Sequence, residues 1–294
     1  MIKRGLKVVS LFDGISCGRI ALERAGFSVA EYYACEIKPE AIKVTMFNYP
    51  DTKQLGDVRN VDFASVVGGG CDLLIGGSPC QDLSQAHKTR LGLNGNKSSL
   101  FWEYVRAKKE LTPKYFLLEN VEMPSADFET ISKAVGTYPV NINSCLVSAQ
   151  LRNRYYWTNI GDKNYNLFGF PTCAIPQPND KKIYLQSILT SGFADRLKAR
   201  CLTESDSRPE VSKESMLKRY FGTGFRTLVF EDLNDKYSCR WLNQTELERC
   251  QTLPEGYTKI LNRNKAAGVI GDGWTVDVIA HIFSFMKFES EVVA

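Results

Sequence analysis

The sequence predicts an α/β protein built on an open, doubly wound, largely parallel sheet. Three observations carry that expectation. Short apolar runs of strand length recur through the first half, at 7–12, 32–37, 72–76 and 115–118. Segments with helical spacing lie between them. The runs are apolar throughout instead of alternating with polar residues, as strands covered on both faces are. The chain has 294 residues, 44% hydrophobic and 24% charged, which is ordinary globular usage and enough length for a full core. Disorder, a collagen repeat and a disulfide-stapled miniature are excluded.

The elements follow in order. The first run, Lys7 to Phe12, ends in the turn signal Asp13-Gly14. Apolar residues at Ile15, Ile20, Ala21, Leu22 and Ala25 predict a helix over 15–25 that stops at Gly26. After the second strand, Pro39 sits in the first turn of a helix running to Asn48. The strand at 72–76 is followed by a long polar stretch, Ser78 to Ser99, rich in Gly and Asn. Loops at strand carboxyl ends line the ligand crevice of an open α/β sheet, so this stretch is expected to be a lid or substrate loop. From about Asp162 the strand–helix rhythm is lost. Between Lys181 and Arg226 ten basic residues face five acidic ones, a surplus of five against +4 for the whole chain. A polyanion contact and a solvated helical face fit that surplus equally well. Regular structure returns near Arg240. Leu242 to Leu253 reads as a helix with Asn243 or Thr245 as N-cap. Trp274 to Met286 reads as a strongly apolar helix, preceded by glycines at 268, 271 and 273. No internal repeat or low-complexity tract is present.

Charge and cysteine usage narrow the chemistry. Lys plus Arg number 37 and Asp plus Glu 33, a mildly basic balance that identifies no partner by itself. The nine cysteines are odd in number, widely spaced and without a C-x-x-C pair, which predicts reduced thiols in an intracellular setting. His87 and His281 are the only histidines, so no metal site is expected and acid–base work falls to Cys, Glu, Asp and Arg. No apolar run reaches the roughly 18–20 residues of a membrane span. The opening Met-Ile-Lys-Arg-Gly enters a strand without a signal-peptide pattern.

Two sets of residues stand out. Phe12-Asp13-Gly14-Ile15-Ser16-Cys17-Gly18 places glycines at a strand end with a helix N-terminus behind them. It lacks the dinucleotide G-x-G-x-x-G. Glu36, at the end of the second strand, suits a ribose diol, and Asp57 in Gly56-Asp57-Val58 suits an adenine amino group. Each acid alone reads as a solvated carboxylate; together they indicate an adenosine ligand. The second set begins at Gly76-Gly77-Ser78-Pro79-Cys80, a bent Gly/Pro loop at a strand end. Eight of the nine cysteines read as small buried hydrophobes. Cys80, placed at the mouth of the crevice, reads as a thiolate nucleophile. Glu119 ends the next strand and lies beside Cys80 if the two strands are neighbours. A Glu partly shielded from water has a raised pKa and can donate a proton. Gln150, Arg152 and Arg154 have period-two spacing, so on a strand all three share a face. Two guanidiniums there suit a phosphate or a polarised carbonyl, and an exposed basic edge strand is the plain alternative.

These blocks, in order, resemble the DNA cytosine-5 methyltransferases, most of all the catalytic domain of the animal de novo class. The resemblance covers most of the chain: SLFDGISCG, Glu36, GDVRNV, GGSPCQDLS, FLLENV, QLRNR, RWLNQTELERCQTLPEGYT and IGDGWTVDVIAHIF. It implies a Rossmann-like methyltransferase sheet over 1–160 and 240–294 with a small target-recognition insert over 161–239. It implies S-adenosylmethionine as cosubstrate, S-adenosylhomocysteine as product, and double-stranded DNA as partner. Phe12, Asp13, Gly14, Ile15 and Gly18 would line the adenosine, with Phe12 stacked on it. Glu36 would hold the ribose, Asp57 and Val58 the adenine, and Trp274 would close over the methionine. Cys80 would attack carbon 6 of a flipped cytosine, Glu119 would protonate N3, Asn120 would brace the cysteine loop, and Arg152 and Arg154 would orient base and phosphate. DNA contacts are expected from Gln150, Lys218, Arg219 and Arg226. Self-association and a restriction partner are left open.

Some features depart from the pattern. The recognition segment is short, no regulatory domain is attached, and at this length the chain looks more like a bacterial or phage enzyme, hence cytoplasmic. Arg249-Cys250-Gln251 replaces the usual arginine-leucine-glutamine. Competing readings are a tRNA cytosine-5 methyltransferase, a catalytically silent DNA-binding relative, and a nucleotide-dependent oxidoreductase.

Overall fold

In the computed structural model the described residues are 5–79, 100–208, 212–223, 226–232 and 234–288. Seven strands form one sheet: β1 (Leu6–Leu11), β2 (Val29–Cys35), β3 (Lys53–Gln54), β4 (Leu73–Gly77), β5 (Tyr115–Asn120), β6 (Val140–Asn143) and β7 (Asn153–Thr158). Their order is β3-β2-β1-β4-β5-β7-β6. β7 alone runs against its neighbours β5 and β6; the other pairs are parallel. The chain winds outward one way from β1 and the other way from β4, so the switch point lies between their carboxyl ends.

Successive side chains on each strand enter different cores. Val8, Tyr32, Leu73, Ile75, Leu117 and Tyr156 face one layer, with residues of α1 (Cys17–Arg24), α2 (Pro39–Asn48) and two C-terminal helices. Val9, Leu11, Tyr33, Leu74, Leu118 and Trp157 face the other, with α3 (Phe63–Val67), α4 (Phe101–Leu111) and α5 (Ser125–Val135). Both faces are covered, which is why the strands carry no polar alternation.

The region after β7 is less uniform. A hairpin of β8 (Lys163–Tyr165) and β9 (Pro171–Cys173) leads to the one-turn α6 (Leu185–Ile188). Ile175, Leu185, Ile188, Ala199 and Leu202 belong to the first core layer. Only the later part has a core of its own. There α7 (Lys213–Thr223) packs Met216, Leu217 and Tyr220 against the hairpin β10 (Leu228–Phe230) and β11 (Cys239–Trp241).

Helix ends differ from expectation for identifiable reasons. α1 starts at Cys17 because Ser16 is left-handed, with φ 57°. The predicted 242–253 helix is the shorter α8 (Gln244–Cys250). Its N-cap is Asn243, in a capping box with Glu246. The predicted helix over 274–286 shortens to α10 (Val276–Phe283). Of the glycines before it, Gly268 and Gly271 lie inside α9 (Arg263–Asp272). A Cβ on Gly271 would sit 2.3 Å from the carbonyl of Thr203, so the glycines let residues 203–207 press onto the helix. No helix among the described residues is long and apolar enough to cross a membrane.

Candidate active site

The carboxyl end of β1 forms one wall. The backbone is left-handed at Phe12 (φ 57°), Gly14 (61°) and Ser16 (57°). For Phe12 and Ser16 this costs about 1–2 kcal/mol each, and Asp13 holds the turn. Its N–H donates to Cys35 O at 3.1 Å. Its carboxylate accepts from Tyr32 Oη at 2.7 Å and Ser16 Oγ at 2.5 Å. Burial outweighs those bonds and raises the Asp13 carboxyl to about 6. Ile15 is buried under the turn and its carbonyl accepts from Tyr257 Oη at 2.7 Å.

Glu36 stands at the rim as a fixed acceptor. Gly14 N–H donates to Oε2 at 2.8 Å, while Ile37 and Lys38 N–H both donate to Oε1 at 2.8 Å. Oε2 keeps a lone pair for a ribose hydroxyl, while both lone pairs of Oε1 are taken by backbone N–H groups. Asp57 caps the 3-10 turn 58–60. The Arg59 guanidinium beside it holds its carboxyl below the usual range. Val58 is buried in the same apolar layer that Phe12 packs against. Phe12 and Val58 thus offer apolar surface, and Glu36 and Asp57 offer carboxylates, the set of groups an adenosine would need.

The carboxyl end of β4 forms the opposite wall. Gly77 pairs with Glu119 across β4 and β5. Glu119 is 8% exposed. Arg154 Nε lies 2.9 Å from its Oε1, and Trp274 Nε1 donates to its Oε2 at 3.2 Å. A Cβ on Gly77 would lie 2.9 Å from Glu119 Oε2 and 3.0 Å from Trp274 Nε1; one on Gly18 would lie 3.5 Å from the indole. The indole therefore packs closely on the bare backbone of Gly77, while at Gly18 it is Ile75 Cδ1, 2.3 Å from a Cβ, that leaves no room for a side chain. Asn120, 1% exposed, donates from Nδ2 to Ser78 Oγ at 3.1 Å and Ser78 O at 3.4 Å. It pins the stem that leads through Pro79 to Cys80. Cys80 itself, and the rest of the expected substrate loop through Ser99, lie outside the described residues.

The expected face of Gln150, Arg152 and Arg154 exists but points inward. Strand β7 begins only at Asn153. Gln150 is 0% exposed and its amide donates to Cys250 O and Gln251 Oε1, both at 2.7 Å. A buried side chain with saturated donors does not touch DNA, so that expectation is corrected. Arg152, 5% exposed, spends its guanidinium on backbone carbonyls: Leu202 at 2.9 Å, Gly271 at 3.3 Å and Gly273 at 2.9 Å. It braces the segment before Trp274 instead of facing a base. Only Arg154 reaches Glu119. Arg226 is likewise buried, donating to Ser205 O at 2.8 Å and lying over the Trp241 ring. Lys218 and Arg219 are exposed on α7, as a phosphate contact requires.

Sequence reasoning missed Tyr32, which holds Asp13, and Cys201, whose Sγ lies 3.5 Å from Arg152 Nη1 and 3.7 Å from Arg154 Nη2. Neither carries a periodic or motif signal. Among the described residues no group of three metal-ligating side chains converges.

A sequence profile of the C-5 cytosine-specific DNA methylase family matches residues 6–196. The chain belongs to this family. Its relatives include the type II methyltransferase M.NgoBV of Neisseria gonorrhoeae, 32% identical over 190 residues, covering 63% of this chain and 42% of that protein. The type II methyltransferase M1.ScrFI of Lactococcus lactis subsp. cremoris is 32% identical over 204 residues, covering 65% and 50%. The chain thus spans about half the length of the curated relatives it matches. The fold matches the Entamoeba histolytica methyltransferase EhMeth with a TM-score of 0.69 at 17% identity, covering 96% of this chain and 98% of that one. It matches the S. pombe Dnmt2 methyltransferase with a TM-score of 0.63 at 15% identity, covering 95% and 97%. The α/β sheet is thus that of these methyltransferase structures.

Proposed function

We propose that the protein transfers a methyl group from S-adenosylmethionine to carbon 5 of a cytosine flipped out of duplex DNA, releasing S-adenosylhomocysteine, with Cys80 as nucleophile. One observation carries this reading: a shielded carboxylate, Glu119, faces Gly77 three residues before Cys80, with Arg154 on one oxygen and Trp274 on the other.

Carbon 5 of cytosine is a poor nucleophile. Addition of the Cys80 thiolate to carbon 6, with a proton placed on N3 by Glu119, turns the ring into an enamine. The cosubstrate supplies an electrophilic methyl on a sulfonium. Loss of the carbon 5 proton then returns the electron pair that expels Cys80. Within this scheme Arg154 orients Glu119, Asn120 sets the stem of the cysteine loop, and Arg152 steadies the Trp274 segment. Phe12, Val58, Glu36 and Asp57 hold the adenosine, while Asp13, Gly14, Ile15 and Gly18 shape the turn beneath it.

We assign target recognition to 161–239, attached to a catalytic domain of 1–160 and 240–294. Within the recognition region, 175–202 share the catalytic core, which leaves base reading to the part beyond Leu202. Lys218 and Arg219 serve as phosphate contacts. Bacterial type II relatives favour a cytoplasmic setting.

Labelled methyl transfer to duplex DNA and to tRNA, side by side, tests the reading, with bisulfite sequencing of plasmid DNA from expressing cells to locate the site. Label on DNA that is lost in Cys80→Ser is expected. Label confined to tRNA, or undiminished transfer by Cys80→Ser, overturns it.

A further inference from the structure

The backbone between β1 and α1 is held in a shape it would not keep alone. Phe12, Gly14 and Ser16 are all left-handed there, and two of them carry a side chain. Such strain persists only where the surroundings over-determine it. Two buried phenols grip this turn from different parts of the chain. Tyr32, on β2, donates from Oη to Asp13 Oδ1 at 2.7 Å. Tyr257, in the segment between α8 and α9, donates from Oη to Ile15 O at 2.7 Å, across 242 residues of sequence.

We propose that Tyr32 and Tyr257 are positioning residues for the cosubstrate: their hydroxyls hold the 12–16 turn, before any ligand arrives, in the shape that receives S-adenosylmethionine. The inference rests on the reading of this turn as the floor of the S-adenosylmethionine site.

The rings and the hydroxyls have separable roles. Both rings belong to the first core layer, 1% and 5% exposed, a place that phenylalanine would fill equally well. The hydroxyls are spent on the turn. Burial pushes both phenols up, so they stay protonated and remain donors. Ser16 Oγ takes the other Asp13 oxygen at 2.5 Å and meets Thr45 Oγ1 at 3.0 Å, so Asp13 ties the end of the turn to β2. The anchors are themselves fixed. Arg19, paired with Asp51 at 2.7 Å, lies 5.4 Å over the Tyr32 ring, and Asn48 Nδ2 donates to Tyr257 O at 3.0 Å. The shape so held aims Gly14 N–H at Glu36 Oε2, 2.8 Å away, the carboxylate assigned to the ribose. It also sets the backbone of Phe12, the ring assigned to the adenosine. Removing a hydroxyl lets 12–16 relax and moves both groups, while Glu119 and Arg154 stand on other strands. A site shaped in advance binds without the cost of ordering it, so the loss falls on affinity.

The test uses the whole chain and the variants Tyr32→Phe, Tyr257→Phe and Tyr115→Phe. Tyr115 is the control: its Oη also donates to a backbone carbonyl, Lys287 O, at 2.7 Å, but at the amino end of β5, away from the turn. Binding of S-adenosylhomocysteine is measured by calorimetry. Tyr32→Phe and Tyr257→Phe are each expected to weaken it about tenfold, the worth of one hydrogen bond, and Tyr115→Phe to leave it unchanged. In methyl transfer to DNA, KM for S-adenosylmethionine should rise by the same factor, with kcat and KM for DNA unchanged. Unchanged affinity in Tyr32→Phe or in Tyr257→Phe, or equal weakening in Tyr115→Phe, overturns the proposal. Hydrogen exchange on the wild type decides the matter even where a variant fails to fold. Residues 12–18 are expected to be protected without ligand, and protection that appears only with S-adenosylhomocysteine overturns the proposal. A wild type that binds no S-adenosylhomocysteine overturns the underlying reading and the role with it.

Discussion

Trp274 and Glu119 stand 155 residues apart in sequence, yet the indole N–H reaches the carboxylate at 3.2 Å. The side chain assigned to close over the cosubstrate is therefore bonded to the side chain assigned to protonate the base. Trp274→Phe keeps an aromatic cover and removes the N–H. It is expected to leave S-adenosylhomocysteine affinity within about threefold by calorimetry while lowering kcat about tenfold, the worth of one hydrogen bond to a charged group. Equal losses in both would show that the ring alone matters.

The two arginines of the QLRNR block are expected to separate experimentally. Arg152→Ala strips a buried cation from three carbonyls and should lower the unfolding free energy by about 3 kcal/mol in urea titration. Arg154→Ala should destabilise less and lower methyl transfer about 100-fold, as loss of one preorganised electrostatic partner does. The same stability cost for both would remove the distinction drawn from their contacts.

Asp13 gives stability a pH dependence of definite sign. Its folded carboxyl is raised from 3.8 to about 6, chiefly by burial. The folded chain thus keeps the proton longer than the unfolded one. Its contribution is fully present below about pH 4 and is lost as pH rises to about 6, amounting to at most about 3 kcal/mol. Urea unfolding at pH 4, 5, 6 and 7.5 checks this against Asp13→Asn, in which that fall should vanish. A wild type whose stability does not drop more than that of Asp13→Asn over this window would refute the assignment.

Surface charge and buried polarity should also part company on DNA. Lys218→Ala is expected to weaken duplex binding uniformly across sequences and to reduce the salt slope by about 1. Gln150→Ala should leave the slope unchanged and lower the melting temperature, because its amide ties the chain to Cys250 and Gln251. Fluorescence anisotropy over a salt series decides both.

Strand-scale features were legible in the sequence because burial on both faces leaves an apolar run, as at Leu73-Leu74-Ile75. The site was legible where a residue type is rare at its position: Glu36 and Glu119 at strand ends, and Gly77 before a proline loop. Contacts made by folding were not. Period-two spacing correctly put Gln150, Arg152 and Arg154 on one face, but it carries no information on which face meets solvent. The helix that holds Gly268 and Gly271 was not foreseen, because only the tertiary contact with residues 203–207 makes a missing side chain useful inside a helix. Cys201 gives no signal, since its meaning depends on two arginines more than forty residues away.

That close seat of residues 203–207 on α9 has a practical consequence for building chimeras. Arg152 also clasps Leu202 to Gly271 and Gly273, one residue before Trp274. The root of the segment we propose to read the bases and the indole we propose to cover the cosubstrate are thus joined at a single rivet. A graft that exchanges 203–239 with a relative's segment, while keeping this chain's α9, must match the small-residue surface at 268 and 271 or it will tilt the indole. Swapped specificity with lost cosubstrate affinity would be the mark of a mismatched rivet.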